Sequence, residues 1–453
     1  MLTERKFIDF FKKNNEYFLI LGVGGVSMSS IALLLQNNGH RVLGYDMTKS
    51  AITELVESHG IPVAYDEAEI DTTNVKCAVY TSAIKVDSPL LTSLREKGIE
   101  CVVRAEFLGA LMKEYTNRVG IAGTHGKSTT SGMISAIFLE AGLDPTIMIG
   151  AGLAGLDGGF RLGKHNNFIF EACEYQDSFL SFSPSISVVL NVEHDHTDYF
   201  KTFEQMKESF TKFMSIGDFS VVNIDNESAK ECAENADSKI FYYSSKGNKS
   251  ADAYADNITF SKGKASFDAI ISGERFAHIS LSVLGEFQVS NAMAAISVAY
   301  LSGLEAEFVE KALSSYTGVS RRFEFRKMYN GAEIRDDYAH HPDEIKATLS
   351  AVKGVGYNHV YVVFQPHTYT RTHDLFSDFA TSFENCDEVV FADIYAAREK
   401  DRFGITSKDL ANVVPNGKYV GDFSEIANYI KPKLEEGDLL IIMGAGNIIN
   451  IDL

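Results

Sequence analysis

The sequence predicts an α/β protein of three domains in series, each built on an open sheet of mostly parallel strands. Three observations carry this reading. Apolar runs of strand length alternate with amphipathic stretches of helix length along most of the chain, the pattern that strand–helix–strand units impose. The chain has 453 residues, and at roughly 100–200 residues per domain that is room for two to four domains. Glycine-rich loops sit where a strand runs into a helix near residue 22 and again near residue 120, so the alternation restarts instead of extending one sheet.

The elements follow in order. "YFLILGV" (17–23) reads as a buried strand and "SMSSIALLLQNNG" as a helix closed at Gly39. "RVLGYD" and "SAITELVESHG", closed at Gly60, repeat the unit, and "KCAVYTS" and "ECVVRAEF" continue it. Strands covered on both faces read as near-continuous apolar runs, so a parallel, Rossmann-like domain is expected over residues 1–115. The central domain, 116–318, opens with a strand leading into "GIAGTHGKSTTSGM" (120–133), and "STTSGMISAIFLEAG" follows as a helix. "NFIFEA" and "SISVVLNVE" read as further buried strands, which makes this a P-loop ATPase-like α/β domain. Between about 250 and 283 the pattern turns to hairpins, "ITFSKGKASFDAIISG", a small antiparallel extension, before the helix "SNAMAAISVAYLSG". The last domain, 319–453, offers "HVYVVFQ", "EVVFADIY", "KYVGDF" and "DLLIIMGAG" as strands of a second Rossmann-like, parallel sheet.

Composition narrows the function. With 42 basic and 61 acidic residues the formal charge is −19, which argues against a nucleic-acid surface, because phosphate contacts need clustered Lys and Arg. The five cysteines are scattered and form no C-x-x-C pair, so neither a disulfide framework nor a zinc cage is expected, and Cys173 is expected to line the core. The opening "MLTERKFIDFFKKNNEYF" carries charge where a signal peptide needs an apolar centre. The longest apolar runs, "VYVVF" and "LLIIM", are far short of a membrane span. A reduced, cytoplasmic protein without membrane insertion is expected, as a monomer or homodimer.

The chemistry concentrates at strand ends. Gly123, Thr124, His125, Gly126, Lys127, Ser128 and Thr129 form a strand–loop–helix junction in which glycines let backbone N–H groups approach phosphate. Lys127 supplies a point charge for the outer phosphates, and Ser128 a hydroxyl for Mg²⁺. The general pattern G-x-x-x-x-G-K-[ST] would put its first glycine at Ile121, so this loop is a shorter kind. Glu171 ends an apolar strand with Glu174 and Asp177 just beyond, and "LNVEHDHTDYF" places Glu193, His194, Asp195, His196 and Asp198 after another. Two acidic clusters at the carboxyl ends of strands in the domain with the phosphate loop point to a metal. Spacing does not say which histidine binds. "GVGGVS" (22–27) also joins a strand to a helix, but Ser27 replaces the third glycine of G-x-G-x-x-G. It reads either as a diphosphate site, with Asp46 about 20 residues on, or as a tight turn without a ligand. In the last domain "SRRFE", "RDDYAHHPDE" and "QPHTYTR" mix cations and imidazoles beside apolar strands, and Arg371 would suit a carboxylate. "AHHP" reads equally as a helix entry with Pro342 in the first turn.

Taken with "GVGGVSMSSIA", "TSAI", "RAEFL", "GTHGKSTT", "EACEY", "NVEHDHTDYF", "SNAMAA", "SRRFE", "DDYAHHP", "QPHTYTRT" and "DIYAARE", the chain resembles the Mur ligases over its whole length and in the same motif order. The resemblance implies ATP-dependent amide formation between the lactyl carboxylate of UDP-N-acetylmuramate and L-alanine, through an acyl phosphate. It implies that Gly24, Gly25 and Ser27 face the UDP diphosphate, with Asp46 and Ser82 nearby. Lys127 would grip the β- and γ-phosphates, Ser128 and Glu171 would hold one Mg²⁺, and Glu171 with His196 a second. Asn291 would lie near adenine, although Phe287-Gln288 stands where the family usually has His-Asn. Arg322 and Asp337 would reach ATP, and Tyr338, His340 and Arg371 would form the alanine pocket. Thr368 stands where many members have arginine, and "EACEYQD" replaces E-A-D-E-S-D. Some relatives use a carbamylated lysine; Lys207 and Lys212 are in range and neither is assigned. The nearest rival is the recycling ligase that joins a whole tripeptide to the same UDP-sugar. "GVGGVS" alone would suggest a nicotinamide-dependent dehydrogenase, and a non-catalytic nucleotide-binding regulator is a third reading.

Overall fold

The computed structural model describes residues 16–81, 83–150, 152–153, 159–164, 166–195, 199–397 and 399–453. The chain divides into two compact units. The first holds the chain up to Gly150 with Gly155–Tyr243 and Ser297–Gly303; the second holds Ala151–Ala154, Ser244–Ile296 and Leu304–Leu453.

In the first unit, β1 (Tyr17–Leu21), β2 (Arg41–Tyr45), β3 (Val63–Ala64), β4 (Val75–Tyr80) and β5 (Glu100–Val103) form a five-stranded sheet in the order β3-β2-β1-β4-β5. Every pairing is parallel. The period-two alternation of a strand divides "YFLIL" between two faces. Phe18 and Ile20 enter a core with Ile31, Leu34 and Leu35 of helix Val26–Asn37 and Phe107 of helix Arg104–Leu111. Leu19 and Leu21 pack with Leu91 and Leu94 of helix Pro89–Glu96 on the other face. That helix starts at Ser88, whose side chain accepts from Leu91 N–H, with proline in the first turn.

The same unit continues with β6 (Asn117–Ala122), β7 (Thr146–Met148), β8 (Phe160–Arg161), β9 (Asn167–Glu171), β10 (Ile186–Val189), β11 (Phe219–Asn223) and β12 (Lys239–Ser244), ordered β12-β11-β10-β6-β9-β7-β8. Only β8 runs antiparallel to its neighbour among these pairings. β9 and β10 flank β6 on opposite sides, so the chain crosses β6 between them. The carboxyl ends of β6 and β10 therefore form a topological switch point, where open α/β sheets bind ligands. Helix Phe203–Met214 covers this sheet with Met206, Phe210 and Phe213, and the Phe213 ring stacks on Phe179 at 4.7 Å.

In the second unit β13 (Ala253–Ser261), β14 (Lys264–Ile271) and β15 (Glu274–Leu284) form the expected antiparallel hairpins. β16 (Glu324–Tyr329), β17 (Ala332–Asp337), β18 (Val360–Phe364), β19 (Glu388–Ala392), β20 (Gly417–Gly421) and β21 (Leu439–Met443) make a six-stranded sheet, β16-β17-β21-β18-β19-β20. The wholly parallel sheet expected here is corrected at one edge, where β16 and β17 are an antiparallel hairpin. Its turn is Asn330-Gly331, both at positive φ (50° and 82°), the two-residue loop whose twist suits antiparallel strands. The polar "EFRKMY" of β16 lacks the apolar run that marks a buried strand, which hid it in the sequence. Three α/β sheets with the antiparallel extension β13–β15 are the fold class the sequence predicts.

Candidate active site

The phosphate loop leaves β6 with Gly123 at φ +139° and reaches helix Lys127–Glu140 through Gly126 at φ +87°. Both are regions that L side chains rarely adopt, so glycine is required at these two places. A Cβ on Gly123 would also stand 3.0 Å from Leu190 Cβ and 3.2 Å from Asn191 N. The loop is braced from the end of β10. Thr124 N–H donates to Asn191 O at 3.2 Å, His125 N–H to Asn191 Oδ1 at 2.8 Å, and Asn191 Nδ2 to His125 O at 3.1 Å. Glu193 N–H donates to Thr124 Oγ1 at 2.9 Å, and His125 Nε2 lies 3.5 Å from Glu193 Oε2. The first N–H to close a helical bond is that of Thr130, to Gly126 O. The N–H groups of Lys127 and Ser128 thus lie in the first turn of a helix, ahead of its hydrogen-bond ladder, the elements of an anion site.

Lys127 folds over this loop. Its Nζ donates to Gly123 O, to Thr124 O at 3.2 Å and to Glu174 Oε1 at 3.2 Å. Burial by itself would depress the ammonium pKa, but Glu174 above all, with Cys173 and Glu171 adding, raises it above the ordinary lysine value. Glu174 is fully buried. The sequence placed it in a general acidic cluster; the structure makes it the counter-ion of Lys127. Asp177 of the same cluster accepts from Tyr199 OH at 2.7 Å and from Ser209 Oγ. Glu171 closes β9 in register with Ile121 of β6, and its Oε1 accepts from Gly150 N–H at 3.0 Å. Ser128 is the second residue of the loop's helix. His196 lies outside the described residues, as does Ser82. Cys173 does not line the core: it is exposed, because the chain after β9 turns its neighbours Ala172 and Glu174 inward instead.

The first loop is a tight turn held by its own hydrogen bonds. Gly24 N–H is taken by Asp46 Oδ2 at 2.8 Å and Gly25 N–H by Gly22 O at 3.0 Å. Asp46 Oδ1 accepts from Thr48 N–H at 3.1 Å, so Asp46 clamps the turn. Met28 and Ser29 N–H both bond Gly25 O. That leaves Val26 and Ser27 N–H as the first-turn donors. Arg104 Nη1 donates to Ser27 Oγ at 3.0 Å, and burial lowers the guanidinium pKa. "RAEFL" was legible as a motif, yet nothing in its spacing tied Arg104 to a loop 77 residues earlier.

In the second unit the sites gather at the carboxyl ends of β17 and β18. Asp337 is 4% exposed and accepts from Phe323 N–H at 3.0 Å and Ala339 N–H at 2.7 Å. Its burial pushes the carboxyl pKa up to about 6, against Arg322. Arg322 pairs with Glu344 at 3.3 Å, and the guanidinium carbons of Arg321 and Arg322 lie 4.8 Å and 5.3 Å from the Tyr338 ring centroid. Helix Pro342–Val352 starts at His341, so "AHHP" is the helix entry as well. His340 Nδ1 is 3.0 Å from Tyr338 O and 3.2 Å from Glu344 Oε2. Both partners only accept, which puts the proton on Nδ1 and leaves Nε2 as an acceptor. Burial lowers its pKa to about 4. Arg371 Nη1 lies 3.3 Å from His367 Nδ1, and the His367 ring stands between His340 and Tyr395, each at 5.7 Å. His367 and Glu344 thus join Tyr338, His340 and Arg371 as members the sequence did not single out. Thr368, at φ 66°, caps helix Tyr369–Asp374 by accepting from Arg371 N–H at 3.4 Å. Asn291 is in helix Phe287–Leu301 and donates to Gln288 Oε1 at 3.1 Å. Lys207 pairs with Glu231 at 2.7 Å.

Comparison with known proteins gives the family. The family model described as Mur ligase family, catalytic domain, matches residues 18–116; the Mur ligase middle domain matches 121–299; the Mur ligase, glutamate ligase domain, matches 321–446. UDP-N-acetylmuramate–L-alanine ligase of Caldicellulosiruptor saccharolyticus is 41% identical over 442 residues, covering 96% of both chains. That of Clostridium perfringens is 40% identical over 451 residues, covering 98% of both. Among solved structures, UDP-N-acetylmuramate–alanine ligase of Thermotoga maritima aligns with a TM-score of 0.80 at 24% identity, over 96% of each chain. A murein peptide ligase of Psychrobacter arcticus aligns at 0.70 and 22% identity, over 96% of this chain and 97% of that one. At these identities the structural likeness is one of fold. The three domain models in series and the relatives at 40% and 41% identity over almost the full length show that the chain belongs to the Mur ligase family.

Proposed function

We propose that the chain joins L-alanine to the lactyl carboxylate of UDP-N-acetylmuramate, with ATP as the energy source, in peptidoglycan precursor synthesis in the cytoplasm. The observation that carries this is the enclosed loop Gly123–Ser128 with Lys127 at its centre and Glu171 in register on the neighbouring strand. Domains 1–115, 116–318 and 319–453 then divide the work among UDP-sugar, nucleotide and amino acid.

The chemistry is positioning and charge neutralisation. The lactyl carboxylate attacks the γ-phosphorus, the bond to the β-phosphate oxygen breaks, and ADP leaves with an acyl phosphate formed. The alanine nitrogen then adds to the acyl carbon, loses its proton, and phosphate departs with the C–O bonding pair. Lys127 follows the transferring phosphoryl charge, and the N–H groups of Lys127 and Ser128 hold the phosphate oxygens. At the first loop, Val26 and Ser27 N–H with Arg104 face the diphosphate. Gly24, Gly25 and Asp46 shape that turn. Ser128 and Glu171 offer the oxygen donors that suit a hard cation, and Mg²⁺ held there would neutralise phosphate charge. Arg371 pairs the alanine carboxylate. His340, neutral with Nε2 open, accepts a hydrogen bond from the amine, and its low pKa makes it an orienting group, too weak a base to keep the proton.

The test is phosphate release from ATP with and without UDP-N-acetylmuramate, for L-alanine, glycine, L-serine and a peptidoglycan tripeptide. Release that requires both the UDP-sugar and L-alanine is expected. Release that depends on tripeptide in place of alanine would move the assignment to the recycling ligase, and ATP turnover indifferent to both substrates would end it. Lys127→Ala is expected to abolish release while leaving UDP-N-acetylmuramate binding intact.

A further inference from the structure

Lysine has three N–H donors and no acceptor. All three are engaged, by Gly123 O, Thr124 O and the Glu174 carboxylate, whose two oxygens both stand 3.2 Å from Nζ. The carbonyls are neutral and belong to the loop itself, whereas Glu174 brings a full opposite charge from the segment after β9. A triphosphate at this loop would want the same protons.

The backbone around Glu174 is shaped to hold it there. It caps an irregular stretch, Tyr175–Ser181, in which Gln176 and Asp177 both sit at positive φ, 55° and 54°. Non-glycine residues stay in that region only when their surroundings enforce it, and such strain gathers at functional places. Here Asp177 N–H returns to Glu174 O at 3.0 Å, and the Asp177 carboxylate is fastened by Tyr199 and Ser209. The Glu174 side chain has no exposure. A buried ion pair adds little net stability compared with apolar packing, so a stabilising role does not account for a fully buried carboxylate placed against the phosphate-loop lysine.

We propose that Glu174 is a positioning residue that acts through Lys127: it holds the ammonium over the loop and competes with the nucleotide phosphates for its protons. This rests on the loop's being the ATP site. Two opposed consequences follow. Before chemistry, the carboxylate repels the polyanionic nucleotide and retains part of the lysine's hydrogen bonding, which weakens ATP binding. During transfer it confines the ammonium to the path of the moving phosphoryl group, which favours the chemical step. Removing its charge while keeping its shape therefore tightens nucleotide binding and slows turnover together.

Glu174→Gln keeps the volume and one acceptor for Nζ, and Glu174→Asp keeps the charge one methylene further back. The measurements are calorimetric affinity for ATP without the other substrates, kcat and KM for ATP in the complete reaction, and melting temperature. For Glu174→Gln, ATP affinity is expected to rise about 3- to 10-fold and kcat to fall at least about 10-fold, with Glu174→Asp recovering part of both. Unchanged affinity and kcat would overturn the proposal. So would affinity and kcat falling together with the melting temperature, the mark of a structural role. If the wild-type protein binds ATP but releases no phosphate with its substrates, the ligase reading fails, and the affinity comparison still decides the role of Glu174.

Discussion

Gly24→Ala separates the shape of the first glycine loop from its chemistry. Gly24 N–H donates to Asp46 Oδ2 at 2.8 Å, and a Cβ added to Gly24 would stand 2.8 Å from that same oxygen, 3.1 Å from Asp46 Cγ and 3.2 Å from Thr53 Cγ2. Gly24 is not among the glycines at positive φ, so the cost is steric and not conformational. The carboxylate must retreat, yet Oδ1 is tethered by Thr48 N–H at 3.1 Å, and the bond to Gly24 stretches past useful length. A hydrogen bond to a charged group contributes about 1.5–3 kcal/mol, and the substrate must restore the order that is lost. At 1.4 kcal/mol per factor of ten, affinity for UDP-N-acetylmuramate falls about 10- to 100-fold. Asp46→Asn keeps an acceptor without the added methyl group, so its loss is smaller, about 3- to 10-fold. Calorimetry with UDP-N-acetylmuramate and, separately, with ATP checks this, because the ATP loop is built on β6 and keeps its affinity. Wild-type affinity in Gly24→Ala, or an equal loss in Asp46→Asn, would refute the steric argument.

Three further outcomes are expected. A Cβ on Gly109 would stand 1.8 Å from Ser181 O and 2.8 Å from Ser181 C, both backbone, so Gly109→Ala destabilises the protein by about 3 kcal/mol or more; a urea midpoint equal to wild type would contradict it. His340 has its pKa lowered to about 4, so the unfolded chain takes up a proton that the native one refuses, and stability falls as pH drops from 6.5 to 4 by about 2 kcal/mol after allowance for its partial exposure. Asp337, raised to about 6, does the opposite, its stabilisation being full below 3.8 and lost as pH rises through 6. The two offset each other, so His340→Gln gains stability relative to wild type on acidification from pH 6.5 to 4.5 and Asp337→Asn loses it; pH-independent differences in melting temperature would disprove the pairing. Arg371→Lys, which replaces a planar fork by a point charge, is expected to raise KM for L-alanine about 10- to 100-fold and leave KM for ATP alone, as initial rates would show.

Legibility followed the range of the interactions. The parallel sheets announced themselves because strands buried on both faces must be apolar without interruption, as "YFLIL" and "LLIIM" are. β16 failed that test because an edge strand faces solvent, and its signal lay instead in Asn330-Gly331. Lys127, Glu171 and Arg371 stood out because glycine loops and strand ends mark where chemistry gathers. Glu174 and Arg104 did not, since their meaning lies in partners 47 and 77 residues away. Cys173 was misplaced for a related reason: hydrophobic character foretells burial only on average, and the turn after β9 sends Glu174 inward in its place.

The spacing of the phosphate loop has a physical account of its own. With its glycines at 123 and 126, the loop has two fewer residues between them than the general G-x-x-x-x-G-K-[ST] pattern. Asn191 and Glu193 brace it from the end of β10, across the switch point, by fixing Thr124 and His125. That bracing leaves the first-turn N–H groups and Lys127 to meet the phosphate. The loop and the chain after β10 are therefore one device, and the acidic run that follows Val192 has its start fixed by the same hydrogen bonds that shape the loop. The rigidity of the loop comes from a neighbouring strand, which couples the proposed nucleotide site to the segment carrying Glu193, His194 and Asp195.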